Sequence, residues 1–207
     1  MDLDLGENWL IFGQIYGAEG TTSTSSIAVD LDKASWGRLW KLKLHDRLKM
    51  LLWQIAAGAL KNKGALARVL GREEEESFLC SFCRQAPEDS IHLLVRCSVA
   101  CIAWRESPWA FPMDALNLGS TEALIGTVLN VDRVLNISKG QLHAFALNAA
   151  IIFDCLWFLR NKIVHENVQV DTSLLILSIR RRYAEHAHAW LKVDGAVQVR
   201  WMPPKLG

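Results

Sequence analysis

The stretch "CSFCRQAPEDSIHLLVRC", residues 80–97, decides how the rest of the chain is read. It sets four metal-ligating residues in the order Cys80-x2-Cys83-x8-His92-x4-Cys97. A Cys-x2-Cys pair lets two thiolates grip one ion from a tight turn. Zinc takes four sulfur and nitrogen ligands tetrahedrally, with Zn–S near about 2.3 Å. The intervening "RQAPEDS" carries Pro, Asp and Ser, which turn a chain back on itself. The His-x4-Cys pair suits a loop or first helical turn closing over the ion. Four protein ligands leave no open position, so the spacing predicts one structural Zn2+. Its binding would contribute folding free energy directly.

Two other readings stand beside this one. The pair could be a thioredoxin-like redox site, but that needs the Cys-x2-Cys after a strand in a βαβ frame, which the sequence does not show. The cysteines could also be ordinary buried thiols beside a surface His. Cys101 follows Cys97 by four positions and would share a helical face with it, so it could stand in as the fourth ligand. More often such a Cys is a small buried apolar residue. Cys155 lies in an apolar segment and reads as core.

The wider composition bounds the answer. The 207 residues suit one domain, or one domain with extensions. Apolar residues make up 51% and charged residues 22%, enough for a core and too apolar for wholesale disorder. The net charge of +1 does not by itself call for a polyanionic partner. Nine Trp are many; they imply an aromatic core or a partner surface. The opening "MDLDLGENWL" is acidic where a signal peptide is basic. The most apolar run, residues 144–159, is broken by Asn148 and Asp154 and falls short of the roughly 20 residues a bilayer span needs. The expectation is an intracellular chain, neither secreted nor membrane-bound, with its five Cys in a reducing compartment.

Along the chain, residues 1–34 read as a weakly ordered leader, rich in Gly, Ser and Thr. Leu48, Leu51, Leu52, Ile55, Ala56 and Ala59 have helical spacing, with Asp46 as a candidate cap. A second short helix is expected over 64–71, followed by a solvated charge run, "REEEES". "FLCSFC" (78–83) reads as a short hairpin arm. Ser98 and Ser120 are candidate helix starts, and Pro108 and Pro112 end the helix between them. The longest helical signals are 139–166 and 171–193. The fold class expected is mostly α: a small helical domain around a CCHC zinc-binding turn, with long C-terminal helices.

At these residues the sequence resembles the reverse transcriptase zinc-binding domain of plant LINE-type (non-LTR) retrotransposons. Trp40, Trp53, Cys80, Cys83, Glu88, His92, Cys97 and Trp104 match that pattern in order. Trp157, Arg160 and Asn161 are similar to the Trp-x-x-Arg-Asn segment that follows in such proteins. "RWMPPKLG" (200–207) resembles the lead-in to a ribonuclease H domain. The resemblance implies a zinc-binding domain over 35–110, a helical region over 111–199, and a linker remnant over 200–207. The chain would then stop before the nuclease.

Three kinds of function follow as expectations. In the first, the domain supports binding of RNA or single-stranded DNA. Candidate contacts are Lys41, Lys43, Arg47, Lys49, Lys61, Lys63 and Arg68, with Arg84, Arg96 and Phe82 at the zinc turn and Trp36 and Trp40 as stacking platforms. The alternative for the basic residues is the solvated face of a helix, and for the Trp residues the core. In the second, zinc staples a protein-interaction module that packs against other parts of a retroelement polyprotein, or the chain is a remnant with no function. The third, an enzyme, is not expected. No paired carboxylates, phosphate loop or base-activated nucleophile are in view, no small-molecule substrate is implied, and His45, His143, His165, His186 and His188 are scattered.

Overall fold

The computed structural model describes residues 31–71, 78–134 and 137–193, and among these described residues seven α-helices follow one another. The leader up to residue 30, the "REEEES" run and the "RWMPPKLG" tail lie outside the described residues. The helices are α1 (Lys33–Lys41), α2 (Asp46–Ala56), α3 (Lys63–Leu70), α4 (Ser98–Arg105), α5 (Thr121–Leu129), α6 (Lys139–Glu166) and α7 (Thr172–Val193). One π-helical turn, His92–Arg96, precedes α4. The mostly α fold expected from the sequence is the fold observed.

Local signals set most helix ends. Asp32 caps α1 by accepting from the Ser35 backbone N–H at 2.7 Å. This helix starts just ahead of the point where the sequence marks structured chain. The His45 ring, not Asp46, caps α2, accepting from the Arg47 N–H at 3.2 Å. Asp46 sits in the first turn instead, where the helix dipole favours a carboxylate. Leu48, Leu51, Leu52, Ile55 and Ala56 are buried as their spacing predicts. The helix stops at Ala56, so Ala59 is left exposed. Ser138 and Gln141 form a capping box on α6.

The hairpin arm expected at 78–83 is not there. Among the described residues the only β pairing is an isolated bridge between Leu79 and Pro87. The reason is local. The N–H groups of Ser81 and Phe82 turn inward to Glu88 and to the Cys80 sulfur, and Pro87 has no N–H to offer a ladder.

Helix α6 is the axis of the molecule. Every residue from Phe145 to Leu156 is buried, so this part of the helix is covered all round rather than on one stripe. It packs against α2, α4, α5, α7 and the π turn. It spans the 28 residues, 139–166, over which the sequence predicts a helix, and by length and composition it could cross a membrane. Yet 67% of its most apolar window is buried by the other helices, which marks a core helix. One buried cluster runs continuously from Leu39 to Ile179. Trp104 and Trp109 lie in it, edge-on to Phe153 and Phe145 at 5.5 and 5.6 Å.

Candidate metal centre

The turn that carries the four ligands is built from both its ends. The Cys80 N–H donates to Ala86 O at 2.8 Å, and the Arg84 N–H donates to Cys80 O at 2.9 Å. Arg84 takes the left-handed conformation (φ 52°) that closes the turn. The Phe82 N–H points at Cys80 Sγ, 3.4 Å away. On the other side, the Cys97 N–H reaches His92 O at 2.7 Å, an i→i+5 bond. An α-helix would put residues five apart on different faces. The wider π turn, followed by extended backbone at Cys97, returns that cysteine to the side of His92.

The π turn leaves backbone carbonyls without helical donors, and α4 supplies substitutes. The buried Trp104 indole N–H donates to Leu94 O at 2.9 Å. The Cys101 thiol donates to Val95 O at 3.4 Å. Cys101 is therefore occupied with backbone and stands outside the ligand group, so it is not the fourth ligand of this arrangement.

The ligand atoms of Cys80, Cys83, His92 and Cys97 all lie within 4.8 Å of one another. The two sulfurs of Cys80 and Cys97 are 3.9 Å apart, and Cys83 Sγ is 3.3 Å from His92 Nε2. A tetrahedron with arms of about 2.3 Å has edges of about 3.8 Å. The donor set and its spacing therefore fit one metal ion of this class. The protons are already shared within the cluster. The hydrogen bond to Cys97, together with burial, pushes the Cys80 thiol up to about 12. The same hydrogen bond holds Cys97 below its ordinary value. His92 is raised to about 9, chiefly by its bond to Cys80. An ion held here would displace these protons.

Behind the ligands stands Glu88, with 0% of its surface exposed. Its Oε2 accepts from the Ser81 hydroxyl (2.6 Å) and N–H (3.0 Å), inside the Cys-x2-Cys. Its Oε1 accepts from the Lys63 N–H at the start of α3 (2.9 Å). The same oxygen accepts from Arg160 of α6, through Nε at 3.0 Å and Nη2 at 2.7 Å. Arg160 is itself 6% exposed. Burial alone would raise the Glu88 pKa; the bonds from Arg160, Ser81 and Lys63 outweigh it and hold the carboxyl below its ordinary value. One carboxylate thus ties the Cys/His turn to α3 and to the distant helix α6. Gly64 lets this happen, since a Cβ there would sit 2.5 Å from Glu88 O.

Residues 23–104 match the family described as zinc-binding in reverse transcriptase. Nothing matches among the curated proteins or the solved structures. The match to the reverse transcriptase zinc-binding family contains all four ligands, Glu88 and Trp104. It ends before Arg160, the residue that neutralises Glu88.

The basic residues expected to contact nucleic acid are not gathered around the cluster as freely available charges. Lys63 Nζ donates to Leu79 O (3.2 Å), and Arg96 donates to Leu118 O (2.8 Å). Arg47 pairs with Asp154 of α6 at 2.5 Å, and Lys49 with Asp46 at 3.5 Å. Arg68 donates to Gly64 O at 3.3 Å. Lys41, Lys43, Lys61 and Arg84 are exposed. Phe82 and Trp36 pack partly buried against the core, while Trp40 is exposed. The sequence reading missed Ser81, Lys63 N–H and Gly64 as supports of the turn. Glu88 and Arg160 were visible only as pattern positions, and nothing in a one-dimensional reading pairs residues 72 apart.

Proposed function

We propose that Cys80, Cys83, His92 and Cys97 hold one zinc ion as a closed structural site. In this reading the chain is a non-catalytic part of a non-LTR retroelement of the plant LINE type, and it helps a reverse transcriptase handle RNA or single-stranded DNA. The observation that carries the metal reading is the mutual approach of four ligand atoms to within 4.8 Å. The family match supports the retroelement reading. Zinc supplies folding free energy, and the chain's own residues hold the turn that receives it. The exposed Lys41, Lys61 and Arg84 are then the first phosphate contacts to test.

A second reading has its own observation. On α3, Leu66, Val69 and Leu70 form an apolar stripe at i, i+3 and i+4, with Val69 83% exposed. Such a stripe suits a zinc-stapled module that docks on protein rather than nucleic acid.

Elemental analysis and RNA titration separate the parts. The purified chain is expected to carry about one zinc, lost in Cys83→Ser together with helical signal. Single-stranded RNA should bind at about 50 mM salt and weaken steeply by about 200 mM. A metal-free folded chain would overturn the zinc site. A zinc-loaded chain that ignores RNA at low salt would leave the docking module as the function.

A further inference from the structure

The buried run of helix α6 carries one carboxylate, Asp154. Two arginines from different helices end on the same oxygen of it. Arg47, in the first turn of α2, donates from Nη2 to Asp154 Oδ2 at 2.5 Å. Arg182, in the middle of α7, donates from Nη2 to that oxygen too. Sharing it brings the two Nη2 atoms within about 5 Å of each other, where like charges repel. One carboxylate answers one of these cations and leaves a positive charge over. Donors are left over as well. A guanidinium has five N–H donors and no acceptor. Among the described residues, Arg47 spends its guanidinium on Asp154 alone. Arg182 spends its own on Asp154 and on the weakly accepting sulfur of Cys155, 3.4 Å from Nη1. The neighbouring acids are committed elsewhere: Asp46 pairs with Lys49 at 3.5 Å and Glu185 with Arg181 at 3.6 Å. The Arg47 side chain is 61% exposed and that of Arg182 23%, so solutes reach the pair. The His186 ring stands beside them. Burial, then the charges of Arg182 and His45, hold its pKa below the ordinary value, with Arg47 adding to this and Glu185 opposing it.

We propose that Arg47 and Arg182, held side by side by Asp154 at the junction of α2, α6 and α7, form a seat for one phosphate group. A guanidinium meets phosphate oxygens as a planar fork, two N–H groups to two oxygens. The two oxygens of a carboxylate are filled by one such fork; the tetrahedral oxygens of a phosphate can take both. Its negative charge is the one the pair lacks. Asp154 fixes both side chains before the ligand arrives, so less rotamer freedom is lost on binding. The seat stands on these contacts and needs neither the metal nor the other phosphate contacts. That its phosphate belongs to an RNA or DNA strand rests on the proposed nucleic-acid function.

The test is NMR of the arginine Nε–H groups of the full chain, titrated with inorganic phosphate at constant ionic strength, beside acetate. Phosphate is expected to shift the Arg47 and Arg182 signals together and saturably, and acetate to bind about tenfold more weakly or less. Arg47→Ala leaves Asp154 and Arg182 as a balanced pair, so the fold is kept. It should weaken phosphate at Arg182 by about tenfold or more. Arg105→Ala removes the same charge from α4 and should change phosphate binding by less than about twofold. A short oligo(U) separates the sources. If it displaces phosphate, and Arg47→Ala lowers the salt slope of its binding by about 1, the seat takes a strand phosphate. If phosphate stays bound in its presence, the seat takes a free phosphate compound and the strand contacts lie elsewhere. Arginine signals that phosphate does not move, or equal binding by Arg47→Ala, would overturn the seat whether or not the chain binds RNA.

Discussion

The Cys/His turn and helix α6 are held by different means. The turn, residues 80–97, sets Leu93, Leu94 and Val95 into the core but takes its shape from directed bonds, with one buried carboxylate and carbonyls capped by side chains around four candidate ligand atoms. Helix α6 depends on area, with an unbroken buried run from Phe145 to Leu156. The difference teaches where each is fragile. Directed bonds fail all at once when a partner is removed, whereas a packed helix loses stability in proportion to the atoms deleted. The two meet at the Glu88–Arg160 ion pair, 2.7 Å long and buried on both sides.

That meeting point gives the largest expected effect. Glu88→Ala leaves the Arg160 guanidinium buried without a counter-charge and orphans the N–H groups of Ser81 and Lys63. Breaking a buried pair from one side costs about 3–5 kcal/mol. Urea unfolding of the zinc-loaded chain should show that loss for Glu88→Ala and a similar one for Arg160→Ala. The double variant should lose less than the sum, since each single change already breaks the same contact. A loss below about 1 kcal/mol would mean that the ligands alone hold the turn. The pH dependence carries the same sign. The folded-state pKa of Glu88 lies below its ordinary value of 4.5, so its contribution is complete above that value and fades as pH falls through the folded pKa. Glu88→Gln should flatten that part of the acid limb.

The sequence carried the fold class and the ligand set because both are short-range patterns. Helical spacing shows in Leu48, Leu51, Leu52 and Ile55, and ligand spacing shows in the Cys80–Cys97 stretch. The supports of the site did not show, because they are long-range. Nothing local links Glu88 to Arg160, or Asn62 to Ser90, whose side chains bond at 2.8 Å. The π turn was equally invisible, since the residues His92–Arg96 would pass for an ordinary helical turn. The internal bonds of some basic residues were hidden for a related reason. A Lys or Arg reads as surface charge in one dimension, yet Arg47, Lys63 and Arg96 serve internal bonds in three.

A middle-sized effect tests whether the close approach of α3 to the turn is as tight as drawn. Gly64→Ala puts a Cβ 2.5 Å from the backbone oxygen of Glu88, which cannot move without loosening the clamp. A loss of about 1–3 kcal/mol is expected despite the better helix propensity of Ala. Gly37, in the middle of α1, has nothing within 4 Å of an added Cβ. There the same change should stabilise, by about 0.5–1 kcal/mol. Opposite signs in thermal melts would separate packing from propensity; equal signs would put α3 farther from Glu88.

An effect of similar size bears on the π turn itself. Trp104→Phe keeps a buried ring against Phe153 and deletes the indole N–H that satisfies Leu94 O together with part of the ring. With carbonyl and ring both buried, the orphaned acceptor should cost about 1–3 kcal/mol, to which the smaller ring adds a little. Trp40→Phe, at an exposed position, should change stability by less than about 0.5 kcal/mol. The useful readout is zinc affinity rather than melting alone. If the indole holds the π turn open, Trp104→Phe lets the segment relax toward an α turn, which rotates Cys97 away from His92 and weakens zinc binding. If affinity is unchanged while stability falls, Trp104 is core only, and the extended backbone at Cys97 suffices to bring the fourth ligand home.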